Sequence, residues 1–512
     1  LNSRGEFINA QSPTDITAAM RRILAAVNDG ATPSGTLGVT GARVGSSSLA
    51  LQPRYESTNN GTDWYGQLTA ETATSNAITG AVTFATAWEA SAKLAALGEA
   101  SRNIQFGTTG NSVVPTVRAF TAGNVSFSAL CSGPLAVSPW CNATTIQALG
   151  GGTMNITRAV AYLRGSRVDE GVLRTRTGIL GDIVNSSPVL TSATDDYGYR
   201  ALGGTLASSY TTFLTAKKTA NRPLAIVGAN DGMLHVFDGR SASPGGDEIY
   251  AYIPATSVNH MGNLLFPYVA ADKNDQKFKH TYFVDGPITI SDVFIGGVWK
   301  TIAVGTSGAG GRSVFALDIT NPAAITVLWE VNNLITGNTA ISNNIGHVLG
   351  KPVIVPVKSS AGAVSWKVIF GNGYNSANQQ ARLFVVDAAS GAVTSIAAVE
   401  SVVPAYNGLG NVSVVDRKKL DAGNTVVNGR DGYSDTVYAA DQNGAVWKFD
   451  LFTSSVALSG QPLFVARDAA NIRQPILGGL TAAAGPSGGV MLYFGTGSFS
   501  FTGDPAINNQ QT

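Results

Sequence analysis

The chain has 512 residues, of which 59 are glycine and 13% are charged, and its formal net charge is +1. That length exceeds one small core and calls for several units or one large repeat array. Glycine at this level without a collagen period suits many tight turns between short strands. The near-neutral charge leaves no electrostatic footprint for nucleic acid, and no apolar run is long enough to span a bilayer.

The chain starts at Leu1 rather than at a methionine, which reads as a cut or processed end. Residues 13–28 have the pattern of one amphipathic helix. Ile16, Met20, Ile23, Leu24 and Val27 share a face, and Thr14 or Asp15 can cap the start. From about residue 38 to 130, short β-like segments follow one another: Leu49–Gln52, Trp64–Glu71, Thr83–Trp88 and Asn103–Phe106. The only two cysteines, Cys131 and Cys141, stand in a Gly- and Pro-containing stretch. The pair suits one disulfide across a surface loop in an oxidising compartment, worth about 3 kcal/mol of loop closure. Two reduced, unrelated cysteines are the alternative. A second helix is expected over 153–164, with Ile156, Val160 and Leu163 on one face and Gly165 as its stop.

From about residue 180 the chain repeats. A first strand opens on proline: Ser187-Pro-Val-Leu190, Gly286-Pro-Ile-Thr289, Lys351-Pro-Val-Ile354 and Gln474-Pro-Ile-Leu477. A second ends on glycine, as in Ala225-Ile-Val-Gly228, Ile302-Ala-Val-Gly305, Val368-Ile-Phe-Gly371 and Leu492-Tyr-Phe-Gly495; one repeat reads Val437-Tyr-Ala-Ala440 instead. A third ends on Asp238, Asp318, Asp387 or Asp450. Five such units can be counted, each with three or four short strands, at a spacing of about 45 to 80 residues. This predicts a mainly β chain built of propeller blades, because a small sheet with two apolar faces buries both only between neighbours. The terminal aspartates read as caps of tight turns.

One blade carries a carboxylate-rich loop. Asp416 ends an apolar segment, a polar insert covers 417–430, and Asp431-Gly-Tyr-Ser-Asp435 leads into the next strand. Calcium takes six to eight hard oxygens, and Asp416, Asp431, Asp435 and the Tyr433 carbonyl could supply four, with Gly432 allowing the sharp turn. The insert separates the first carboxylate from the others. Val427 and Gly429 fall where two ligands belong, so Asp421, Asn424 or Asn428 would have to substitute. The alternative is a solvated hairpin loop carrying Lys418, Lys419 and Arg430.

Other motifs are weaker. Gly305-Thr-Ser-Gly-Ala-Gly-Gly311 lacks the Lys-Ser/Thr pair and helix of a phosphate cradle and reads as a turn between strands. His235, His260, His280 and His347 are scattered without ligand spacing. No Gly-x-Ser-x-Gly element and no glycosidase carboxylate pair can be assigned. Trp64, Trp88, Trp299, Trp366 and Trp447 read as blade packing.

Several stretches together resemble the PilC/PilY family of type IV pilus tip-associated proteins. The most specific are Leu180-Gly-Asp-Ile-Val-Asn-Ser-Ser-Pro188 and Asp435 to Asp450. Val227-Gly-Ala-Asn-Asp-Gly-Met-Leu-His-Val-Phe-Asp238, Tyr252-Ile-Pro-Ala255 and Val284-Asp-Gly-Pro287 support them. The resemblance implies a modified, quinoprotein-like β-propeller over 176–512, a β-rich segment with a small α/β part over 31–175, and a helix within 1–30 left from an upstream von Willebrand A-like domain. It further implies a surface protein at the pilus tip, associated with the outer membrane and exported through the periplasm. Such a protein promotes pilus assembly, opposes retraction, and mediates adhesion and twitching motility through minor pilins and a host or surface receptor. Calcium at the propeller loop is implied as regulator, with ligands falling on Asp416, Asp431, the Tyr433 carbonyl and Asp435. Two other readings stand beside it: a quinoprotein-type dehydrogenase, and a metal-free protein-binding scaffold.

Overall fold

The computed structural model describes residues 38–39, 48–58, 63–75, 81–267, 280–400, 406–485 and 488–498. The helix expected over 13–28 lies outside them. The repeat region folds into a row of antiparallel sheets. Strands Ile288–Ile295, Val298–Thr306, Ser313–Asp318 and Thr326–Asn332 form one four-stranded blade. The next is Val353–Lys358, Val364–Gly371, Arg382–Asp387 and Val393–Ala397. Leu409–Val415, Thr436–Asp441, Ala445–Asp450 and Ser455–Val456 form a third. The hairpin of Leu480–Ala484 with Val490–Phe494 follows.

Strand periodicity explains the stacking. In Val364–Gly371, Trp366, Val368 and Phe370 face the 288–332 blade, while Ile369 faces the 409–456 blade. In Arg382–Asp387 the same division holds, with Phe384 and Val386 on one side and Leu383 on the other. Successive side chains of a strand point to opposite faces, so each central blade feeds two cores at once. Trp329, Trp366 and Trp447 are fully buried between sheets. A mainly β propeller region is therefore what the alternating apolar pattern produces.

The first blade is wider than the repeat predicts. Its strands Val189–Leu190, Leu224–Gly228, Leu234–Asp238 and Glu248–Ile253 are extended by Ile104–Thr108, which lies parallel to Glu248–Ile253, and then by Thr116–Ala119. The 31–175 segment thus lends two strands to this sheet. Arg102 fixes the junction: its Nε and Nη2 donate to Glu248 at 2.6 and 2.8 Å, and Glu248 in turn holds His235 at 2.8 Å. Burial works against charge in all three groups, but Arg102 and His235 outweigh it and hold Glu248 at about 2. His235, flanked by Asp231 and Glu248, is pushed up to about 9 despite its burial.

A separate four-stranded sheet covers Gly38–Val39, Ser48–Thr58, Asp63–Ser75 and Val82–Glu89. The helix near 153–164 runs from Ile156 to Leu163, capped by the Asn155 side chain and followed by Gly165 at φ 117°. Cys131 and Cys141 are joined as a disulfide. The Gly305–Gly311 stretch is a turn between two strands. The sequence signal misses the helix Gly204–Ala220, which buries only Tyr210. Its Tyr210 hydroxyl and Lys217 ammonium both donate to the buried Asp292, at 2.9 and 2.7 Å.

Candidate functional site

The carboxylate-rich loop joins Leu409–Val415 to Thr436–Asp441, two strands paired from Leu409↔Asp441 to Val415↔Thr436. The pairing brings Asp416 and Asp435 to the same end of the sheet. The insert is not irregular: Lys418–Leu420 pairs with Val426–Asn428 as a two-stranded hairpin. Asp421 closes its turn by accepting from Gly423 and Thr425 amides at 2.8 Å each. The hairpin's one β-branched run, Thr425-Val426-Val427, is short and flanked by polar residues, so its strand signal is weak. Asn428 stands exposed on this hairpin, opposite Lys418.

Each loop carboxylate already has partners. Asp435, 2% exposed, accepts from the Arg417 and Lys418 amides through Oδ2, both at 2.8 Å, and from the Thr436 hydroxyl through Oδ1 at 2.6 Å. Asp416 Oδ2 accepts from the Gly432 and Asp431 amides at 2.7 and 3.1 Å. Gly432 has φ 87°, a left-handed conformation that presents those successive N–H groups to one carboxylate. Asp431 Oδ2 accepts from the Lys358 ammonium at 2.5 Å, and its Oδ1 accepts from the Tyr433 amide at 3.2 Å. The same ammonium lies 4.1 Å from the centre of the Tyr433 ring. Lys358 ends a strand of the preceding blade, where Ser434 also donates to the Pro356 carbonyl at 2.9 Å.

Burial raises the Asp416 carboxyl, and Asp435 and Asp431 raise it further against the two amides that stabilise its charge. Burial likewise raises Asp435, opposed by its three hydrogen bonds and by Lys418. The proximity of like charges makes the site attractive for a cation, but the donor set does not fit a calcium cage. Calcium needs six to eight converging oxygens, whereas these carboxylates are turned to N–H groups, a hydroxyl and an ammonium. Among the described residues no three Asp, Glu, His or Cys side chains gather to hold a metal ion. The expected ligand set of Asp416, Asp431, Tyr433 and Asp435, with Asn428 as substitute, is thus arranged as a hydrogen-bonded lock. The physical reason is the missing pair of ligands at Val427 and Gly429, together with the Lys358 ammonium that occupies Asp431. Lys358 carries no local signal in the sequence, since it reaches the loop from 73 residues away.

The block Leu180–Pro188 is stitched by side chains. Asp182 Oδ2 accepts from Asn230 Nδ2 and pairs with His280 Nε2, both at 2.8 Å. Asn185 donates twice to Asp285, at 3.0 and 2.6 Å, and Ser186 accepts from the Gly228 amide at 2.9 Å. These bonds tie the first blade to the start of the second.

Comparison with known proteins matches residues 180–511 to the family described as the PilY1 beta-propeller domain. A type IV pilus biogenesis factor PilY1 homolog of Xylella fastidiosa (strain Temecula1) is 35% identical over 554 residues, covering 98% of this chain and 35% of that protein. The type IV pilus biogenesis factor PilY1 of Pseudomonas aeruginosa (strain PAK) is 32% identical over 533 residues, covering 98% of this chain and 41% of that protein. The chain therefore spans about two-fifths or less of the length of these relatives. The crystal structure of the Pseudomonas aeruginosa PilY1 C-terminal domain aligns with a TM-score of 0.44 at 31% identity, over 58% of this chain and 56% of that one.

Proposed function

This chain belongs to the PilY1 β-propeller family, and from that premise we propose that it acts in type IV pilus biogenesis at the bacterial surface. In this reading the stacked blades form a rigid platform whose loops contact minor pilins at the pilus tip and a surface or host receptor, so that assembly is favoured and retraction opposed. Adhesion and twitching motility follow from the same placement. The observation that carries the reading is the family match across residues 180–511, whose described residues fold as stacked blades. The relatives are named for pilus biogenesis rather than for an enzyme activity.

Regulation enters through the 416–435 loop, which would report on contacts between adjacent blades. Lys358 couples the loop to the preceding blade, and Lys418 reaches Asp450 at the neighbouring turn of its own. A calcium-free scaffold is the version favoured by the occupied carboxylates. The test is surface piliation in a strain lacking the protein. Pili should be lost, should return on complementation, and should also return when the retraction motor is disabled. Normal piliation and twitching in the deletion strain would overturn the proposal.

A further inference from the structure

Three sequence features with no part in the loop chemistry meet at one cavity of about 250 Å³: the Gly305–Gly311 turn, His347 and the disulfide loop of Cys131–Cys141. Its lining holds one guanidinium, Arg312, one imidazole, His347, and two carboxamides, Asn259 and Asn333, but no carboxylate.

Arg312 is half-buried, and among the described residues it has neither an ion pair nor a side-chain hydrogen bond. That sets it apart from guanidiniums in similar surroundings. Arg164 donates to the carbonyls of Glu99, Arg102 and Phe120, and Arg382 donates to Ser395 and Gln380. The Arg312 donors are open to the cavity, where an anion can complete them. One neighbouring group can read what flanks the anion. His347 uses Nδ1 toward the Gly308 carbonyl at 2.9 Å, leaving Nε2 to accept from a ligand N–H or O–H.

Part of the lining is apolar and held in place. Pro134 and Leu135 come from the disulfide loop. Gly133 donates to the Asn259 carbonyl at 2.8 Å, and Asn263 donates to the Leu135 carbonyl at 2.9 Å. A planar anion with an aliphatic body and a neighbouring N–H or O–H matches these three surfaces together.

We propose that this cavity binds a carboxylate ligand, with Arg312 holding the carboxylate and Leu135 covering its aliphatic part. A free C-terminus of a protein chain and a small free carboxylate share this chemistry, and the probes separate them. Calorimetry would compare an N-acetylated tripeptide ending in leucine with a free carboxylate, the same peptide as its C-terminal amide, and butyrate. The free-acid peptide should bind and the amide should not; butyrate binding as tightly as the peptide would assign the site to small carboxylates. Arg312→Gln should weaken binding of whichever acid binds by about tenfold or more, and Arg312→Lys should lose less. Unchanged melting temperatures would show that both variants keep the fold, and His347→Gln gives a second probe of the same cavity if either does not. Equal binding of acid and amide, no binding of any acid, or wild-type affinity in Arg312→Gln would overturn the proposal.

Discussion

Two sets of aspartates in this molecule share a residue type and differ in what surrounds them. At the blade turns, Asp238, Asp318, Asp387 and Asp450 each accept from the amide two residues on, at 3.0, 3.0, 3.2 and 2.9 Å. Each also pairs with a cation: Arg240, Lys300, Lys367 and Lys418 respectively. In the loop, Asp416 and Asp435 are held by backbone amides, and only Asp431 is paired with an ammonium, that of Lys358. The turn aspartates are local devices that repeat with the blade. The loop aspartates depend on partners brought in by the hairpin and by the neighbouring blade. The two sets thus differ in what their oxygens face.

The largest effect should come from Asp435→Ala. It leaves two amides and a hydroxyl without their buried acceptor, and denaturant melts should show a loss of about 3 kcal/mol. A loss under about 1 kcal/mol would mean that water replaces the carboxylate and that the lock is not structural.

Lys358→Met comes next. It removes the ammonium from a partly buried pair while keeping much of the side-chain volume. A loss of about 1 to 2 kcal/mol is expected, and Asp431→Asn combined with it should add little, because the two share one interaction. Full additivity of the two variants would separate Lys358 from the loop.

At the blade turn, Asp387→Ala should cost about 1 kcal/mol, the combined worth of an Asx turn and a partly exposed ion pair. The same value from the equivalent Asp318→Ala would support a repeated local device, whereas a large difference between them would break the analogy.

The pH dependence should have opposite sign at Asp387 and at the pair Asp416 and Asp435. Burial would raise Asp387, but Lys367 and the Ser390 amide outweigh it and hold it low. Its contribution is present above the unfolded carboxylate value and is lost as pH falls through the folded one. Asp416 and Asp435 are raised, chiefly by burial. Their contribution is fully present below the unfolded value and is lost as pH rises through the folded one. Melting curves from pH 7 to pH 3 should show the wild-type advantage over Asp387→Asn shrinking with acid, and wild type gaining on Asp416→Asn. Parallel trends in both pairs would contradict the assignment of partners.

Much of this architecture could be read along the chain, and the reason is periodicity. Alternation in segments such as Val364–Gly371 specifies two buried faces, which only a stack satisfies. The turn aspartates were legible because their amide partners lie two residues away. The loop was legible only by halves. Asp431-Gly-Tyr-Ser-Asp435 announces a sharp turn, and Gly432 makes one. Nothing near it announces Lys358, or that the 417–430 insert pairs with itself and turns the Arg417 and Lys418 amides onto Asp435. The histidines look scattered for the same reason: His235 meets Glu248 and Arg102, and His347 shares a cavity with Arg312, only after the sheets assemble.

The central claim is that the loop's own amides and the Lys358 ammonium do the work a divalent cation would do. Calcium titration of the metal-stripped protein, followed by calorimetry and by melting temperature, tests it most directly. The account predicts no binding heat and the same melting temperature with excess calcium as with chelator. A calcium-dependent rise in melting temperature that Asp435→Asn abolishes would contradict it.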